Sequence, residues 1–198
     1  SQASPWRHVA PGIDYLDAID KPMTRWSHIH VFRIDLNQNQ LDVVMAQSFS
    51  KTHASAQQFA RHSHAFISIN GGFFDRNFHS LGLRVSHQKT ISPIKNISWW
   101  SIFYTKTGVA HISNLRGYQH QMPVDFAVQS GPRLLRKGRV TPFLKAGIAE
   151  RSALGITKDG SVILIVTEGS PISTNDLAHL MRSSPINCTD ALNLDGGS

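Results

Sequence analysis

Apolar residues recur in short runs along most of the chain, often alternating with polar ones, and turn residues separate the runs. This spacing is typical of β-strands, in which successive side chains point to opposite faces of a sheet. We predict strands at the following positions: His30–Leu36, Leu41–Met45, Ala65–Ile69, Gly82–Val85, Trp100–Tyr104, Val109–Ile112, Asp125–Gln129, Ala153–Thr157, Ser161–Thr167 and Asp190–Leu194.

Two of the turns predict hairpins. Polar residues 37–40 separate the first two strands, and Lys158-Asp159-Gly160 separates two strands further on. An Asp-Gly pair is typical of hairpin turns because it accepts positive φ. We therefore expect each flanking pair of strands to be antiparallel neighbours.

Two segments have helical patterns. Ala54–Arg61 places Ala56, Phe59 and Ala60 on one face, and the segment after Ser173 begins with a hydroxyl N-cap and an early acid. The longest aliphatic run, Val162–Val166, is too short to cross a membrane. We predict a single α+β domain with a strand-rich, mixed sheet and two or more short helices. Residues 1–27 form an N-terminal extension to a domain over residues 28–198.

Three apolar strands end in the same way, with glycine beside polar side chains. They are ISINGGFFD at 67–75, FAVQSGPRLL at 126–135 and ALNLDGGS at 191–198. Glycine allows the backbone to approach a ligand closely. If the three ends are neighbours at one sheet edge, they form a polar cleft. Its candidate side chains are Asn70, Asp75, Ser130, Arg133 and Asp195.

Four motifs together resemble the phosphodiester glycosidase domain family. They are Asn70–Phe74 (NGGFF), Ser130–Leu135 (SGPRLL), Arg151–Ile156 (RSALGI) with Asp159-Gly160 after it, and Ala191–Ser198 (ALNLDGGS). The resemblance covers about residues 34–198, and Phe78–Leu83 (FHSLGL) resembles a bacterial branch of the family. In the family the last motif usually continues into another strand, so we expect a sheet edge and a ligand contact beyond Ser198.

The resemblance implies hydrolysis of a sugar-1-phosphodiester at the glycosidic C1–O bond. Positive charge develops on the sugar ring, and a phosphomonoester leaves with a second pKa near 6, so it needs little help from a proton donor. Such a site requires cations and N–H groups around the phosphate and a carboxylate near the anomeric carbon.

Asp195 is our candidate for that carboxylate, acting as nucleophile, as base for water or as an anchor for a sugar hydroxyl. Arg151 and Arg133 are candidate phosphate clamps, because a guanidinium binds two phosphate oxygens at once. Asp75 and His79 are further candidates for acid or base. The remaining candidate substrate-binding residues are Asn70, Gly71, Gly72, Ser130, Gly131, Gly196, Gly197 and Ser198.

The net charge of +7, from 20 Lys and Arg against 13 Asp and Glu, favours a polyanion such as nucleic acid, an anionic glycan, a phosphate-bearing lipid or a cell-wall polymer. The family resemblance implies that the partner is a phosphorylated or anionic glycan. Without a recognition helix or an interleaving of aromatic and basic residues, we do not expect nucleic acid. Residues 1–6 lack the basic start and apolar stretch of a leader, and their small polar composition fits a mature secreted or periplasmic protein. The oligomeric state is not predicted.

The remaining chemistry-bearing residues are less informative. His28-X-His30 and His62-X-His64 lack a third ligand of suitable spacing, so we predict no metal site there. We predict no cofactor, although Asp195 and Asp75 offer oxygen ligands for Ca²⁺. Adjacent residues on a strand face opposite ways, so at most one of Trp99 and Trp100 is expected to line a cleft.

Two functions therefore remain open. The first is a phosphodiester glycosidase of the envelope or of an exported glycan. The second is a non-catalytic protein of the envelope that binds anionic glycan in the same cleft.

Overall fold

A computed structural model describes residues 3–45, 65–69, 72–78, 82–119 and 123–195. The helix predicted at Ala54–Arg61 lies outside these ranges.

The largest sheet has eight strands in the order β1-β2-β3-β16-β15-β18-β12-β13. Their bounds are β1 Arg7–Ala10, β2 Ile13–Asp17, β3 His28–Ile34, β12 Arg133–Arg136, β13 Arg139–Val140, β15 Ser152–Thr157, β16 Val162–Glu168 and β18 Cys188–Asn193.

Three smaller sheets complete the strand content. A five-stranded sheet has the order β10-β9-β11-β7-β8, with β7 Arg84–Ser86, β8 Lys89–Ser92, β9 Ser101–Lys106, β10 Val109–Ser113 and β11 Phe126–Ser130. A three-stranded sheet contains β4 Leu41–Met45, β5 Ala65–Ile69 and β6 Gly72–Phe78. β14 Ile148–Ala149 pairs with β17 Ile172–Ser173.

The eight-stranded sheet is buried on both faces. Val162 and Leu164 of β16 pack in a core shared with Phe103, Phe126 and Val128 of the five-stranded sheet and with Leu41 and Ile67 of the three-stranded sheet. Ile163 and Ile165 point the other way and pack with a helix, α2, at Thr174–Arg182. A continuous apolar run is what a strand covered on both faces requires.

Two helices lie within the described residues. α1, Leu115–Tyr118, is a short turn capped by Asn114, and its Tyr118 packs on the five-stranded sheet. α2 begins after Ser173, whose hydroxyl accepts a hydrogen bond from the Asp176 N–H at 3.0 Å. Leu177, Ala178 and Met181 form its buried face. The predicted N-cap is therefore confirmed. Neither helix has the length and apolar character needed to cross a membrane.

The α+β class and the strand-rich single domain are confirmed, but the strand directions differ from the prediction. All strand pairs of the described residues are antiparallel rather than mixed. Six of these fourteen pairs join consecutive strands that are two to four residues apart, and such short connections allow antiparallel pairing only. The β15–β16 hairpin is confirmed, with Gly160 at φ +88°.

The hairpin predicted around residues 37–40 is wrong, because β3 and β4 belong to different sheets. The buried Asn39 fixes the loop after β3 instead. Its amide donates to the Pro11 carbonyl at 3.0 Å and to the Asp35 carbonyl at 3.2 Å. The domain boundary at residue 28 stays a prediction. On its N-terminal side, β2 pairs with β3 along residues 13–17.

Candidate active site

Asp195 lies just after β18, and among the described residues two side chains, those of Asn193 and Arg151, hold its carboxylate. The Asn193 amide donates to Oδ1 at 2.5 Å, and the Arg151 guanidinium lies 3.2 Å from Oδ2 and 3.4 Å from Oδ1. The Asp195 side chain is only 11% exposed. A nearly buried carboxylate needs such partners, because desolvation of an unpaired charge is costly. Its position is therefore fixed from two sides.

Arg151 precedes β15 and is itself anchored to the backbone. Its side chain is 4% exposed. Nε donates to the Ile172 carbonyl at 2.9 Å, and an Nη donates to the Gly147 carbonyl at 2.9 Å. These bonds aim the remaining terminal nitrogen at Asp195. The guanidinium, predicted as a phosphate clamp, thus lies against a carboxylate of its own chain.

Asn193 joins the Asp195 site to the end of β11. Its amide also donates to the Gly131 carbonyl at 3.1 Å, and its backbone N–H donates to the Pro132 carbonyl at 3.1 Å. Gly131 is required here because an added Cβ would lie 2.5 Å from Cδ1 of Trp100 and 3.1 Å from the Trp99 carbonyl oxygen. The second and third predicted strand ends therefore meet.

Four buried polar atoms around these residues have no hydrogen-bond partner among the side chains and backbone that the structure describes. They are Ser130 Oγ, Ser152 Oγ, Asn193 Oδ1 and Trp100 Nε1. Ser130 precedes Gly131, Ser152 follows Arg151, and the Trp100 ring contacts Gly131. Buried polar groups are paired in most proteins, so each exception calls for an explanation. Hydroxyls and an indole N–H are suited to binding sugar hydroxyls or phosphate oxygens.

Arg133 follows Gly131 and Pro132, but its side chain contacts Asp190 rather than Asp195. An Nη contacts Asp190 Oδ1 at 2.7 Å, and Nε donates to the Leu135 carbonyl at 3.1 Å. Burial lowers the pKa of Arg133, the hydrogen bond to Asp190 opposes this shift, and the positive charge of Arg136 adds to it. Arg133 and Arg151 therefore hold different carboxylates and do not converge on one.

A cleft of about 910 Å³ opens beside this corner. Pro132 and Arg133 form part of its wall, and Trp99, Trp100 and Phe143 also border it. The expectation that at most one of the two tryptophans lines a cleft is wrong. It assumed a strand, but the pair lies in a turn before β9, where side chains do not alternate.

The first predicted strand end is only partly described. Gly72 begins β6 opposite Ile69, and Asp75 lies within β6. Asn70, Gly71, His79, Gly196, Gly197 and Ser198 lie outside the described residues. β5, β11 and β18 belong to three different sheets, so the three strand ends do not share one sheet edge. Instead, the ends of β11 and β18 meet between layers.

The discounted histidines have protein partners. His28 and His30 stack with ring centroids 5.2 Å apart, and they contact Asp17 at 2.7 Å and Glu168 at 2.6 Å. The pair His62 and His64 lies outside the described residues. Cys188 is buried, and burial raises the pKa of its thiol. Among the described residues, no cluster of three or more His, Cys, Asp or Glu side chains is close enough to hold a metal ion.

Sequence reasoning missed Asn193 and the anchors of Arg151. Asn193 stands in the apolar strand ALNL, and a buried amide inside such a strand was the available signal. The Gly147 and Ile172 carbonyls had no comparable signal, because any residue supplies a carbonyl. Ser152 was also visible in the RSALGI motif and was not chosen.

The fold and the site define a class of proteins in which layered antiparallel sheets hold a nearly buried carboxylate beside a basic cleft. The chain belongs to the phosphodiester glycosidase family, whose model matches residues 63–198. This is a family of hydrolases that act on phosphorylated sugars.

Two solved structures are similar to this chain over almost its whole length. The catalytic domain of zebrafish N-acetylglucosamine-1-phosphodiester alpha-N-acetylglucosaminidase, auto-inhibited by its pro-peptide, has a TM-score of 0.59 and 21% identity, over 99% of this chain and 75% of that one. A hypothetical protein from Synechocystis has a TM-score of 0.52 and 15% identity, over 98% and 58%. Both likenesses show the fold.

One curated relative is similar in sequence. The uncharacterized protein YigE of Escherichia coli K12 is 25% identical over 163 residues, which is 76% of this chain. The chain spans 63% of the length of YigE.

Proposed function

We propose that the protein hydrolyses a sugar-1-phosphodiester at the glycosidic C1–O bond, within an envelope or exported glycan, and that Asp195 is the key carboxylate. Membership of the phosphodiester glycosidase family supports the reaction class. The positive net charge supports an anionic substrate. An extracytoplasmic location is part of the proposal, because glycans of this kind are found there.

The observation that carries the proposal is the nearly buried Asp195 carboxylate, which Arg151 and Asn193 hold beside the end of β11. At that end of β11, Ser130 Oγ and Trp100 Nε1 are buried and have no hydrogen-bond partner among the described residues. Sugar hydroxyls and phosphate oxygens are groups that pair with a hydroxyl and an indole N–H. This requirement favours a sugar phosphate over an apolar ligand.

In the proposed reaction the C1–O bond breaks and the phosphate departs with the bonding electrons. The sugar then carries positive charge at C1, which a carboxylate stabilises. Asp195 either attacks C1 directly or takes the proton from the water that does so. In both routes one water is consumed, its hydroxyl ends on C1, and the products are a free sugar and a phosphomonoester.

We assign Arg151 the role of holding Asp195, in place of the phosphate clamp that the sequence suggested. Its bonds to the Gly147 and Ile172 carbonyls support this role, because they fix the guanidinium against the carboxylate. Asn193 fixes Oδ1 from the other side. Preorganised charges of this kind stabilise a transition state without rearrangement. The Ser130 hydroxyl at the end of β11 is the proposed donor to the substrate.

The test is an assay for reducing sugar and phosphomonoester with a glycosyl-1-phosphodiester, comparing the wild type with Asp195→Asn. We expect kcat to fall by about 100-fold or more in the variant. Asp176→Asn, which removes an exposed acid on α2, is the matched control and should retain activity. Saturable binding without turnover by the wild type would favour the non-catalytic glycan-binding protein instead. Full activity in Asp195→Asn would remove that residue from the mechanism.

A further inference from the structure

The cleft beside the candidate active site carries more positive charge than one phosphodiester requires. Arg136, Arg139 and Lys145 line it together with Arg133, and no acidic residue is among its described lining. Arg133 is neutralised by Asp190. The other three cations are exposed and make no ion pair with any described residue. A phosphodiester supplies a single negative charge, so two of these three cations remain to be matched.

Aromatic side chains border the same cleft. Trp99 is 53% exposed, and Phe143 is 98% exposed. Phe143 also has a φ of +64°, a conformation that is strained for a bulky residue. Rigid aromatic rings offer contact area at a low cost in conformational entropy, and a pyranose ring presents apolar C–H faces that pack on them. Cations and exposed rings together suit a sugar that carries negative charge.

Two chain segments connect the cleft to Asp195. Pro132 and Arg133 line the cleft, while the carbonyls of Gly131 and Pro132 accept hydrogen bonds from Asn193. Lys145 lines it as well, while the Gly147 carbonyl two residues later accepts a hydrogen bond from Arg151. The cleft and the Asp195 site are therefore built from the same two chain segments.

We propose that the cleft is a subsite for a further phosphate-bearing sugar unit of the same glycan, so that the substrate is a poly(glycosyl phosphate) chain rather than one diester. This inference rests on the proposed function for the identity of the glycan. Arg136 and Arg139 bind the additional phosphate through paired N–H groups, and Lys145 adds a point charge. Trp99 and Phe143 pack on the sugar rings.

Single-stranded nucleic acid also combines phosphates with stacking surfaces. The glycan is favoured because the cleft and the Asp195 site are built from the same chain segments, in a family that acts on phosphorylated sugars. An oligonucleotide is therefore included in the test as a competing ligand.

The test measures binding of glycosyl-1-phosphate oligomers of one and four units by calorimetry, in the Asp195→Asn background so that no oligomer is cleaved. The cleft variant is Arg136→Gln/Arg139→Gln/Lys145→Gln. The matched control is Lys21→Gln/Lys89→Gln/Lys158→Gln, which removes the same charge from exposed positions outside the cleft. We expect the four-unit oligomer to lose about tenfold or more in affinity in the cleft variant only. The one-unit ligand should change less than about twofold.

Equal losses in the two triple variants would overturn the proposal, because they would show a general effect of charge. Equal affinity of the one-unit and four-unit ligands for the protein with an intact cleft would also overturn it. The proposal would also be overturned by a thymidine oligonucleotide of matched charge. It would have to bind as tightly as the four-unit oligomer and lose affinity in the cleft variant. If oligomer binding behaves as expected but the wild type cleaves nothing, the proposed function fails and the subsite stands. If the wild type cleaves the one-unit ligand but the cleft variant binds the four-unit oligomer as tightly as the protein with an intact cleft, the proposed function stands and the subsite fails.

Discussion

Two regions of the eight-stranded sheet place opposite charges in contact, and they differ in exposure. At the end of β18, Arg151 and Asp195 have side chains that are 4% and 11% exposed. Beside β2, Arg33 and Asp14 form a pair at 2.8 Å with side chains that are 36% and 29% exposed. Asp17–His28 and Glu168–His30 lie on the same part of the sheet and are also partly solvated.

The comparison shows that similar distances between charges carry different physical consequences. An exposed pair loses little hydration, is screened by salt, and contributes at most about 1 kcal/mol. A buried pair has lost its hydration, so removal of one partner leaves the other charge buried without its counter-ion. Burial of a pair is a weak route to stability, and this favours a positional role for Arg151–Asp195.

The largest expected effect comes from breaking the buried pair alone. Arg151→Met should lower the free energy of unfolding by about 3–5 kcal/mol, because Asp195 stays buried and two carbonyls lose their donor. Arg33→Met, which breaks the exposed pair, should cost about 1 kcal/mol or less. Urea denaturation followed by circular dichroism measures both variants.

The Arg151→Met/Asp195→Asn double variant separates charge from packing. It should be destabilised by less than the sum of the two single variants, since neither charge remains. Additive losses, or equal losses in Arg151→Met and Arg33→Met, would show that burial does not distinguish the two pairs.

A smaller effect is expected from Gly131→Ala, which tests the packing that supports the buried site. The added Cβ would lie 2.5 Å from Trp100 Cδ1 and 3.1 Å from the Trp99 carbonyl oxygen. Since a backbone atom is among these neighbours, the corner must shift, and we expect a loss of about 1–3 kcal/mol in urea denaturation.

Gly147→Ala is the matched control for Gly131→Ala. Nothing lies within 4 Å of its added Cβ, and its carbonyl stays available to Arg151. We expect a change within about 0.5 kcal/mol. A Gly131→Ala protein as stable as Gly147→Ala would contradict the close packing against Trp100.

The sequence was sufficient to predict most central strands but, apart from the β15–β16 hairpin, not their partners. Alternation specifies which side chains share a face, and it led to β4 and β5 with their observed bounds. It carries no information on which strand lies alongside, so the β3–β4 hairpin was wrong. β3 pairs with β16, more than a hundred residues away along the chain. β1 and β2 were missed: RHVA is half polar, and IDYLD lies in the segment that we predicted as an N-terminal extension.

The site was predictable in its residues more than in its geometry. An acid after an apolar strand indicated Asp195, and the motif resemblance indicated Arg151. Their contact spans 44 residues of sequence and depends on the neighbouring strands β15 and β18. Arg133 looked equivalent to Arg151, but it reaches Asp190, five residues before Asp195. Local sequence cannot distinguish these two choices, because Asp190 lies within β18 and Asp195 follows it two residues after its end.

The smallest expected effect concerns the exposed pairs at acid pH. Burial alone would raise the pKa of Asp17, but hydrogen bonds from His28 and from the Ile29 and Ile19 N–H groups lower it overall. The folded protein thus holds this proton less tightly than the unfolded chain does. The resulting stability is present above the ordinary aspartate pKa of about 3.9 and is lost as the pH falls through the lower folded pKa.

Asp17→Asn should therefore flatten the fall in unfolding free energy between pH 7 and pH 3, by about 1 kcal/mol or less. Glu168→Gln should do so more weakly. The hydrogen bond from His30 also lowers the pKa of Glu168, but that side chain is 65% exposed and well screened. Urea denaturation at both pH values, at low and high salt, measures the differences. A larger change in Glu168→Gln than in Asp17→Asn would contradict the ordering by exposure, because the more solvated pair would then matter more.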